Sequence, residues 1–240
     1  MRVPLNRALS KLGILSRAQA TAAITAGRVR VNGRRATDPA APVVPERVRI
    51  EVDGAIRRRA TWRTILLHKP RGVVTTRRDP AGRPTVFGLL GDQAEGLVAV
   101  GRLDLASAGL LLLTTDTRLA DWIIDPRNEV ARVYAVTVRG RVGEADVDRL
   151  RVGISSRGEE LMASGVILRK ASSRESHLIV TLREGRNREV RRLFEAIGHE
   201  VTRLKRVRLG GLELGDLAPG EWRDVTRAEL RRAFDRGVRL

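Results

Sequence analysis

The chain has 240 residues, of which 42% are hydrophobic and 31% charged, a composition typical of one or two globular domains. It contains no cysteine and only three histidines, which are far apart in the sequence: His68, His177 and His199. Thiol chemistry, disulfides and cysteine-ligated metals are therefore excluded, and no metal site is predicted. The 46 basic and 28 acidic residues give a net charge of +18, which predicts a polyanionic partner such as a nucleic acid.

The first sixty residues carry half of this net positive charge. Apolar residues at helical spacing predict a first helix over residues 5–12. Ser16 is predicted to cap a second helix over residues 17–26. Val29–Val31 alternates like a strand, and the Asn32-Gly33 pair that follows predicts a hairpin turn. This density of arginine on short helices and a hairpin favours a nucleic-acid-binding surface over a charged surface that only faces solvent.

A further strand is predicted near Arg47–Asp53, and Gly54 with the arginines at 57–59 is predicted to form a linker. We therefore expect one domain over residues 1–58 and a second over residues 59–240. The most apolar stretch of the chain, residues 109–113, is too short to cross a bilayer. A cytoplasmic protein without membrane contact is expected.

The N-terminal segment resembles the S4 RNA-binding module. The resemblance rests on Leu5–Gly13, Ser16-Arg17 and Gly27–Gly33, which occur in the order and at the distances of that family. It implies RNA contacts by six side chains: Arg7, Lys11, Ser16, Arg17, Arg28 and Arg30. Because A-form RNA hides its base edges in a deep groove, such a module reads shape and phosphates rather than sequence.

From Arg63 onward the pattern alternates between strands and helices. Strands are predicted at 64–67, 109–114, 132–139, 177–183 and 199–209, and helices at 117–124, at 188–197 and after the Thr226/Glu229 capping box. Gly109–Thr114 is apolar on both faces, which is typical of a central buried strand. We predict an α+β fold with a large mixed, mostly antiparallel sheet.

The sequence has neither a phosphate-binding loop nor a dinucleotide fingerprint, so chemistry must rest on carboxylate, phenol and guanidinium groups. Asp104 stands just before the apolar strand, and an ionised carboxylate there can attack an electrophilic sugar or base carbon. An aspartate that caps a turn fits the same pattern. Tyr134, the single tyrosine, can stack on an extruded base or transfer a proton, or it can be a half-buried strand residue.

The helix predicted at 188–197 carries a second group of cations. Arg191 flanks its apolar stripe and is predicted to reach inward to a carboxylate, whereas Arg192 is predicted to face solvent. Arg186 and Arg188 lie at the N-terminus of this helix, where the helix dipole disfavours cations and a bound phosphate would resolve the conflict. The alternative is that these two arginines are solvent-exposed and bind no ligand.

Together these segments resemble the RsuA/RluB family of pseudouridine synthases over essentially the whole chain. The matching segments are His68–Thr76, Asp79–Val86, Gly101–Asp104, Gly109–Asp116 and the surroundings of Tyr134 and Arg191. The resemblance implies that Asp104 is the nucleophile, Tyr134 the active-site tyrosine and Arg191 the basic partner of the aspartate. It also implies RNA contacts by Lys69, Arg71, Arg102, Arg186 and Arg188. Glu189 stands where glutamine is expected and can compete for the Arg191 guanidinium.

The resemblance implies a reaction in which the N1–C1′ bond of a uridine in ribosomal RNA breaks, the base turns, and C5 rejoins the sugar. No metal or cofactor is required. The segment Asp79–Val86 is closer to the large-subunit (23S) branch of the family than to the small-subunit (16S) branch. We expect a monomer that acts on ribosomal RNA or on a ribosome assembly intermediate. The alternatives are a non-catalytic S4-type rRNA-binding or assembly factor and, with less support from the pattern, a DNA-binding regulator.

Overall fold

The computed structural model of the chain describes residues 2–15, 17–57 and 61–234. Ser16, predicted to cap a helix and to contact RNA, and the expected domain boundary between residues 58 and 59 lie outside these ranges. Within them, no helix is long and apolar enough to span a membrane.

The N-terminal unit consists of two helices, α1 (Leu5–Lys11) and α2 (Arg17–Thr25), and six short strands. The strands are β1 (Val3–Pro4), β2 (Val29–Val31), β3 (Arg34–Ala36), β4 (Pro42–Val43), β5 (Ile50–Val52) and β6 (Ala55–Arg57). β1 pairs with β4, and the other four form a sheet in the order β3-β2-β5-β6. The unit has a core of its own, made of Leu5, Leu9, Ala20, Ala23, Ile24, Val29, Ile50 and Val52.

The predicted hairpin is confirmed. β2 and β3 pair antiparallel around Asn32 and Gly33, and both turn residues have a positive φ, as the type I′ turn requires. The predicted linker is wrong in its first part, because residues 55–57 pair with β5 as strand β6. This strand has only three residues, too few for a periodic signal.

The C-terminal unit is built on a sheet of nine described strands. Seven of them follow the order β13-β14-β10-β15-β9-β7-β17, with β16 paired to β15 and β8 to β9. Their bounds are β7 Thr64–Lys69, β8 Val98–Ala99, β9 Ala108–Thr114, β10 Arg132–Arg139, β13 Gly165–Ala171, β14 Glu175–Leu182, β15 Val201–Leu209, β16 Leu212–Glu213 and β17 Trp222–Asp224. All of the pairings are antiparallel except that of β15 with β9, so the prediction of a mostly antiparallel sheet is confirmed.

The described part of this unit also contains a separate hairpin of β11 (Ile154–Ser156) and β12 (Glu159–Leu161) and five α-helices. The helices are α3 Val86–Leu90, α4 Thr117–Ile124, α5 Glu144–Val152, α6 Glu189–Ala196 and α7 Arg227–Ala233. The capping box at the start of α7 forms as predicted, because Thr226 and Glu229 bond to each other's backbone amides.

The large sheet has an apolar core on each of its faces. Leu111 and Leu113 of β9 belong to the core that α3, α5 and α6 cover. Leu110 and Leu112 belong to the core that α4 and α7 cover. β9 is therefore buried on both sides, as its apolar sequence predicts, and the loop that carries Asp104 leads directly into this buried strand.

The sequence pattern predicts no element between residues 140 and 176, where the structure has α5, the hairpin β11–β12 and strand β13. The reason is the weak patterning of these segments. α5 buries only Val147 and Leu150, and β13 lies at an edge of the sheet with a single fully buried residue, Val166. An element that buries so little leaves little trace in hydrophobic periodicity.

Candidate active site

A cavity of about 360 Å³ opens between the loop before β9, strands β10 and β15, and the start of α6. Asp104 and Tyr134 both line it, although they belong to different elements. The remaining charged groups of the wall are mostly cationic: Arg102, Arg132, Arg186, Arg188 and Arg206, against the single further carboxyl of Glu189. A concave wall with this balance of charge attracts an anionic polymer and concentrates it near the carboxylate of Asp104.

The half-buried Asp104 belongs to a loop that is held from below by Lys69 at the end of β7. The Lys69 side chain is fully buried, and its Nζ donates to the backbone oxygens of Pro70 (2.9 Å), Asp104 (3.1 Å) and Ser107 (2.8 Å). Burial lowers the pKa of Lys69 to about 8, against an opposing attraction from Asp104. The prediction that Lys69 contacts RNA is therefore wrong, because its ammonium group is enclosed and bound to three carbonyls.

Further hydrogen bonds hold the backbone on both sides of Asp104. The Thr75 hydroxyl donates to Leu103 O (2.9 Å) and accepts from Leu103 N (3.3 Å). Gly72 N donates to Leu105 O (2.9 Å), and Ser107 N donates to Asp104 O (3.0 Å). The carboxylate is thus carried by a loop whose neighbouring residues are bonded to the scaffold, which is the preorganisation that catalysis requires.

Tyr134 lies in β10, whose bounds match the predicted strand. Its side chain is 8% exposed and packs among the apolar residues of the core beneath the cavity. The aromatic ring therefore has apolar support from the protein on one side while it lines the cavity. A flat, supported ring in a cavity wall is suited to stacking against a flipped-out base.

Arg191 approaches Asp104 indirectly. Its Nη1 donates to Val201 O (2.8 Å) and its Nη2 to Ala106 O (3.2 Å). In the described part of the chain it forms no ion pair with Asp104. Burial lowers the pKa of Arg191, and the nearby carboxylate of Asp104 partly offsets that effect. The predicted ion pair between Arg191 and Asp104 is therefore replaced by a hydrogen bond from Arg191 to the backbone of the Asp104 loop. The guanidinium and the Asp104 carboxylate also attract each other electrostatically.

Glu189, the first residue of α6, is a buried carboxyl on the cavity wall. One of its oxygens, Oε2, accepts from Arg186 N at 3.0 Å, while Oε1 has no hydrogen-bond partner among the described residues. Burial, together with the nearby carboxylate of Glu184, raises the pKa of Glu189 to about 7. The expected competition of Glu189 for the Arg191 guanidinium does not occur, since the two guanidinium nitrogens that donate bond to backbone carbonyls.

The prediction that Arg192 faces solvent is wrong. Its side chain is buried, and it donates to a Glu159 carboxylate oxygen (2.7 Å) and to Ser156 O (2.6 Å). Both acceptors belong to the hairpin β11–β12, which packs on α6 and was not predicted from the sequence. The guanidinium of Arg192 in turn lowers the pKa of Glu159.

The cations expected at the N-terminus of α6 lie at the rim of the cavity. Arg188 is exposed and adopts a left-handed backbone conformation (φ 49°) at the helix start. Arg186 is also exposed, but its guanidinium is bonded to Glu184 (2.8 Å) and to Glu160 O (2.7 Å). Arg71 and Arg102 are exposed as well. Arg188 and Arg102 therefore offer accessible charge at the rim.

Four of the six predicted RNA contacts of the N-terminal unit are exposed arginines. Arg7, Arg17 and Arg30 are exposed, and Lys11 is half-buried. Arg28 is exposed but paired with Asp53 at 3.1 Å.

Two buried arginines of the cavity wall, Arg132 and Arg206, were not predicted from the sequence. Arg132 donates to three backbone oxygens, those of Val130, Ile123 and Arg183. Arg206 donates from Nε to Leu110 O at 2.8 Å. The alternation of β15 carries a signal for Arg206, because it lies two residues after the buried Leu204 and thus shares its face.

Comparison with known proteins assigns the chain to a family. Residues 63–196 match the family described as RNA pseudouridylate synthase, and residues 3–48 match the S4 domain. The first match alone covers more than half of the chain. The chain therefore belongs to the RNA pseudouridylate synthase family and is an isomerase that carries an S4 domain, as predicted.

Individual relatives are similar over nearly the full length. The chain is 39% identical over 236 residues to ribosomal large subunit pseudouridine synthase B of Salmonella typhimurium, covering 95% of this chain and 81% of that protein. It is 37% identical over 235 residues to an uncharacterized RNA pseudouridine synthase of Aquifex aeolicus, covering 98% and 94% respectively. A crystal structure of a pseudouridylate synthase matches 97% of this chain and 99% of its own with a TM-score of 0.69 and 28% identity.

Proposed function

We propose that this synthase converts one specific uridine of ribosomal RNA to pseudouridine, in the 23S rRNA of the large subunit. The observation that carries the proposal is the convergence of Asp104 and Tyr134 on one cavity with a cationic wall. The choice of the large subunit is supported by relatives that are named for it and are 38–40% identical.

In this proposal Asp104 promotes the departure of uracil from C1′, either by attack at the sugar or by stabilising positive charge there. Tyr134 stacks on the uracil and transfers a proton. Arg191 and Lys69 act through the loop, because both bind its backbone carbonyls and so keep the carboxylate in place. Extrusion of the nucleotide from folded RNA costs a few kcal/mol of stacking, which phosphate contacts around the cavity offset.

The S4 domain supplies part of those contacts. Its exposed arginines Arg7, Arg17 and Arg30 face solvent, as does the rim arginine Arg188. We assign residues 1–58 to this domain and 59–240 to the catalytic domain, and we expect the enzyme to act as a monomer in the cytoplasm. These assignments are compatible with the two family matches, which end and begin on either side of the boundary.

The test compares Asp104→Asn with the wild type on 23S and 16S transcripts labelled with tritium at C5 of uridine. Isomerisation releases this hydrogen, so the wild type is expected to release tritium from the 23S transcript and D104N to release none while binding the RNA with unchanged affinity. Asp216→Asn is the control, because Asp216 is exposed and lies outside the cavity. Its release is expected to equal that of the wild type.

Three outcomes would overturn the proposal. Release by D104N at the wild-type rate would remove Asp104 from the reaction. Tight binding of 23S RNA without release by the wild type would favour the non-catalytic assembly factor. Release from the 16S transcript alone would assign the enzyme to the small subunit, contrary to the proposal.

A further inference from the structure

Arg206 is a buried cation on the cavity wall to which the mechanism above assigns no role. Its side chain is 3% exposed, and its Nε is fixed by the bond to Leu110 O. Its Nη2 is buried without any hydrogen-bond partner among the described residues. An arginine keeps its charge inside proteins, and a buried charged donor without an acceptor is costly. Nη2 is therefore a donor that a hydrogen-bond acceptor from outside the protein would satisfy.

In the part of the chain that the structure describes, Arg206 forms no ion pair that would balance its charge. Its neighbour is another buried cation, Arg132, whose pKa is lowered by burial and further by Arg206. The donors of Arg132 are directed to three backbone carbonyls. Of these two adjacent cations, it is Arg206 that has a buried donor left for an incoming oxygen.

A β-bulge brings Arg206 to the side of the sheet that Tyr134 occupies. Tyr134 pairs with Arg206 across β10 and β15, but Val133 pairs with Arg208, so that Val207 is the extra residue. Bulges of this kind redirect side chains and are frequent beside active sites. Residues directly opposite each other on neighbouring strands have their side chains on the same face and in contact range.

The third strand of this arrangement is β9, which follows the Asp104 loop. Gly109 pairs with Arg206 in the parallel register, and a Cβ at Gly109 would lie 2.2 Å from Arg206 O. Only glycine allows the backbones to approach this closely. The loop of Asp104, the ring of Tyr134 and the guanidinium of Arg206 are thus held by three adjacent strands around one cavity.

We propose that Arg206 is a catalytic residue whose Nη2 donates a hydrogen bond to a carbonyl oxygen of the uracil ring. This inference rests on the proposed function, in which the same ring stacks on Tyr134. When the N1–C1′ bond breaks, its electron pair leaves with uracil, whose negative charge spreads over N1, O2 and O4. After C5 has bonded to C1′, C5 loses its proton to water and N1 takes one up, so the composition of the RNA is unchanged. Arg206 stabilises the intermediate anion whether Asp104 attacks C1′ or only stabilises its charge.

The experiment measures single-turnover tritium release from 23S transcript labelled at C5 of uridine, with Arg206→Met, Arg206→Lys and wild-type enzyme at increasing enzyme concentration. Loss of one preorganised donor to developing negative charge lowers the rate constant by about 100- to 1000-fold. R206M is expected to show this loss at saturating enzyme, with the half-saturating concentration within about threefold of wild type. R206K, which keeps the charge but not the planar fork, is expected to lie between the two. Arg208→Met is the control, because Arg208 is an exposed arginine of the same strand.

A different role would give a different pattern. A purely phosphate-binding Arg206 would raise the half-saturating concentration of R206M and leave its saturating rate unchanged, which overturns the proposal. Equal losses in R206M and R206K together with a lowered midpoint of unfolding in both would show a structural role and also overturn it. Failure of the proposed function itself is distinguishable, because the wild type would then release no tritium at all.

Discussion

Substitution of Lys69 by methionine tests whether the loop of Asp104 is held by a buried ammonium group. The change keeps an unbranched side chain of similar length but removes the donor to Pro70 O, Asp104 O and Ser107 O. Hydrogen bonds to a charged group contribute about 1.5–3 kcal/mol each. The desolvation that lowers the pKa of Lys69 to about 8 opposes them by about 3 kcal/mol. We therefore expect Lys69→Met to lower the free energy of unfolding by about 2–5 kcal/mol.

The assay is urea unfolding at pH 7 combined with single-turnover tritium release at a temperature where the variant is fully folded. Because the loop backbone loses its anchor, we expect the rate constant to fall by at least tenfold while RNA affinity stays the same. Lys170→Met provides the control, since Lys170 is an exposed lysine. An unfolding free energy and a rate constant for Lys69→Met that both match the control would refute the anchoring role.

Three further predictions concern other parts of the molecule. The pKa of Glu189 is raised from 4.5 to about 7 in the folded protein, so its contribution to stability is present below pH 4.5 and is lost as the pH rises through 7. The free energy of unfolding should fall by about 3 kcal/mol over this pH range. Glu189→Gln should therefore flatten the plot of the urea midpoint of unfolding against pH. The same plot for the variant as for the wild type would exclude Glu189 as the titrating group. Gly109→Ala should lower the free energy of unfolding by about 3–5 kcal/mol in thermal or urea unfolding, because the added Cβ would contact Arg206 O. Gly33→Ala is the control: its added Cβ would meet no atoms but φ is +81°, so it should cost only about 1–2 kcal/mol. Equal losses in the two variants would contradict the close approach of β9 and β15. Arg30→Ala should weaken RNA binding and reduce the slope of log affinity against log salt by about 1, and an unaltered slope would remove Arg30 from the RNA contacts.

Elements with strong local signals were predictable from the sequence. β10 has its predicted bounds because β-branched and aromatic residues, which favour strands, recur over a full strand length. α4 likewise begins and ends where predicted, and its amphipathic pattern is strong. The turn at Asn32-Gly33 forms because these residues tolerate positive φ. Each of these signals depends on near neighbours in the chain, so it is visible without any knowledge of the fold.

The roles of several charged residues were not predictable in this way. Lys69 and Arg192 follow ordinary patterns of basic residues, yet both are buried by segments distant in sequence. Arg192 is enclosed by the hairpin β11–β12, and the ammonium group of Lys69 by the loop that follows Gly101. The local sequence pattern around a basic residue is the same whether its side chain binds RNA or backbone carbonyls of the protein. Only long-range packing decides which acceptors surround the side chain.

The sequence by itself determined the family, the order of the two domains, the α+β class and the position of Asp104 before a buried strand. These follow from motifs and periodicities that a linear chain displays. Tertiary structure decided that Arg191 donates a hydrogen bond to Ala106 O in the Asp104 loop. It also decided that a bulge in β15 places Arg206 opposite Tyr134. Such relations depend on the register between strands far apart in the chain, and a shift of one residue would turn each side chain to the other face of the sheet.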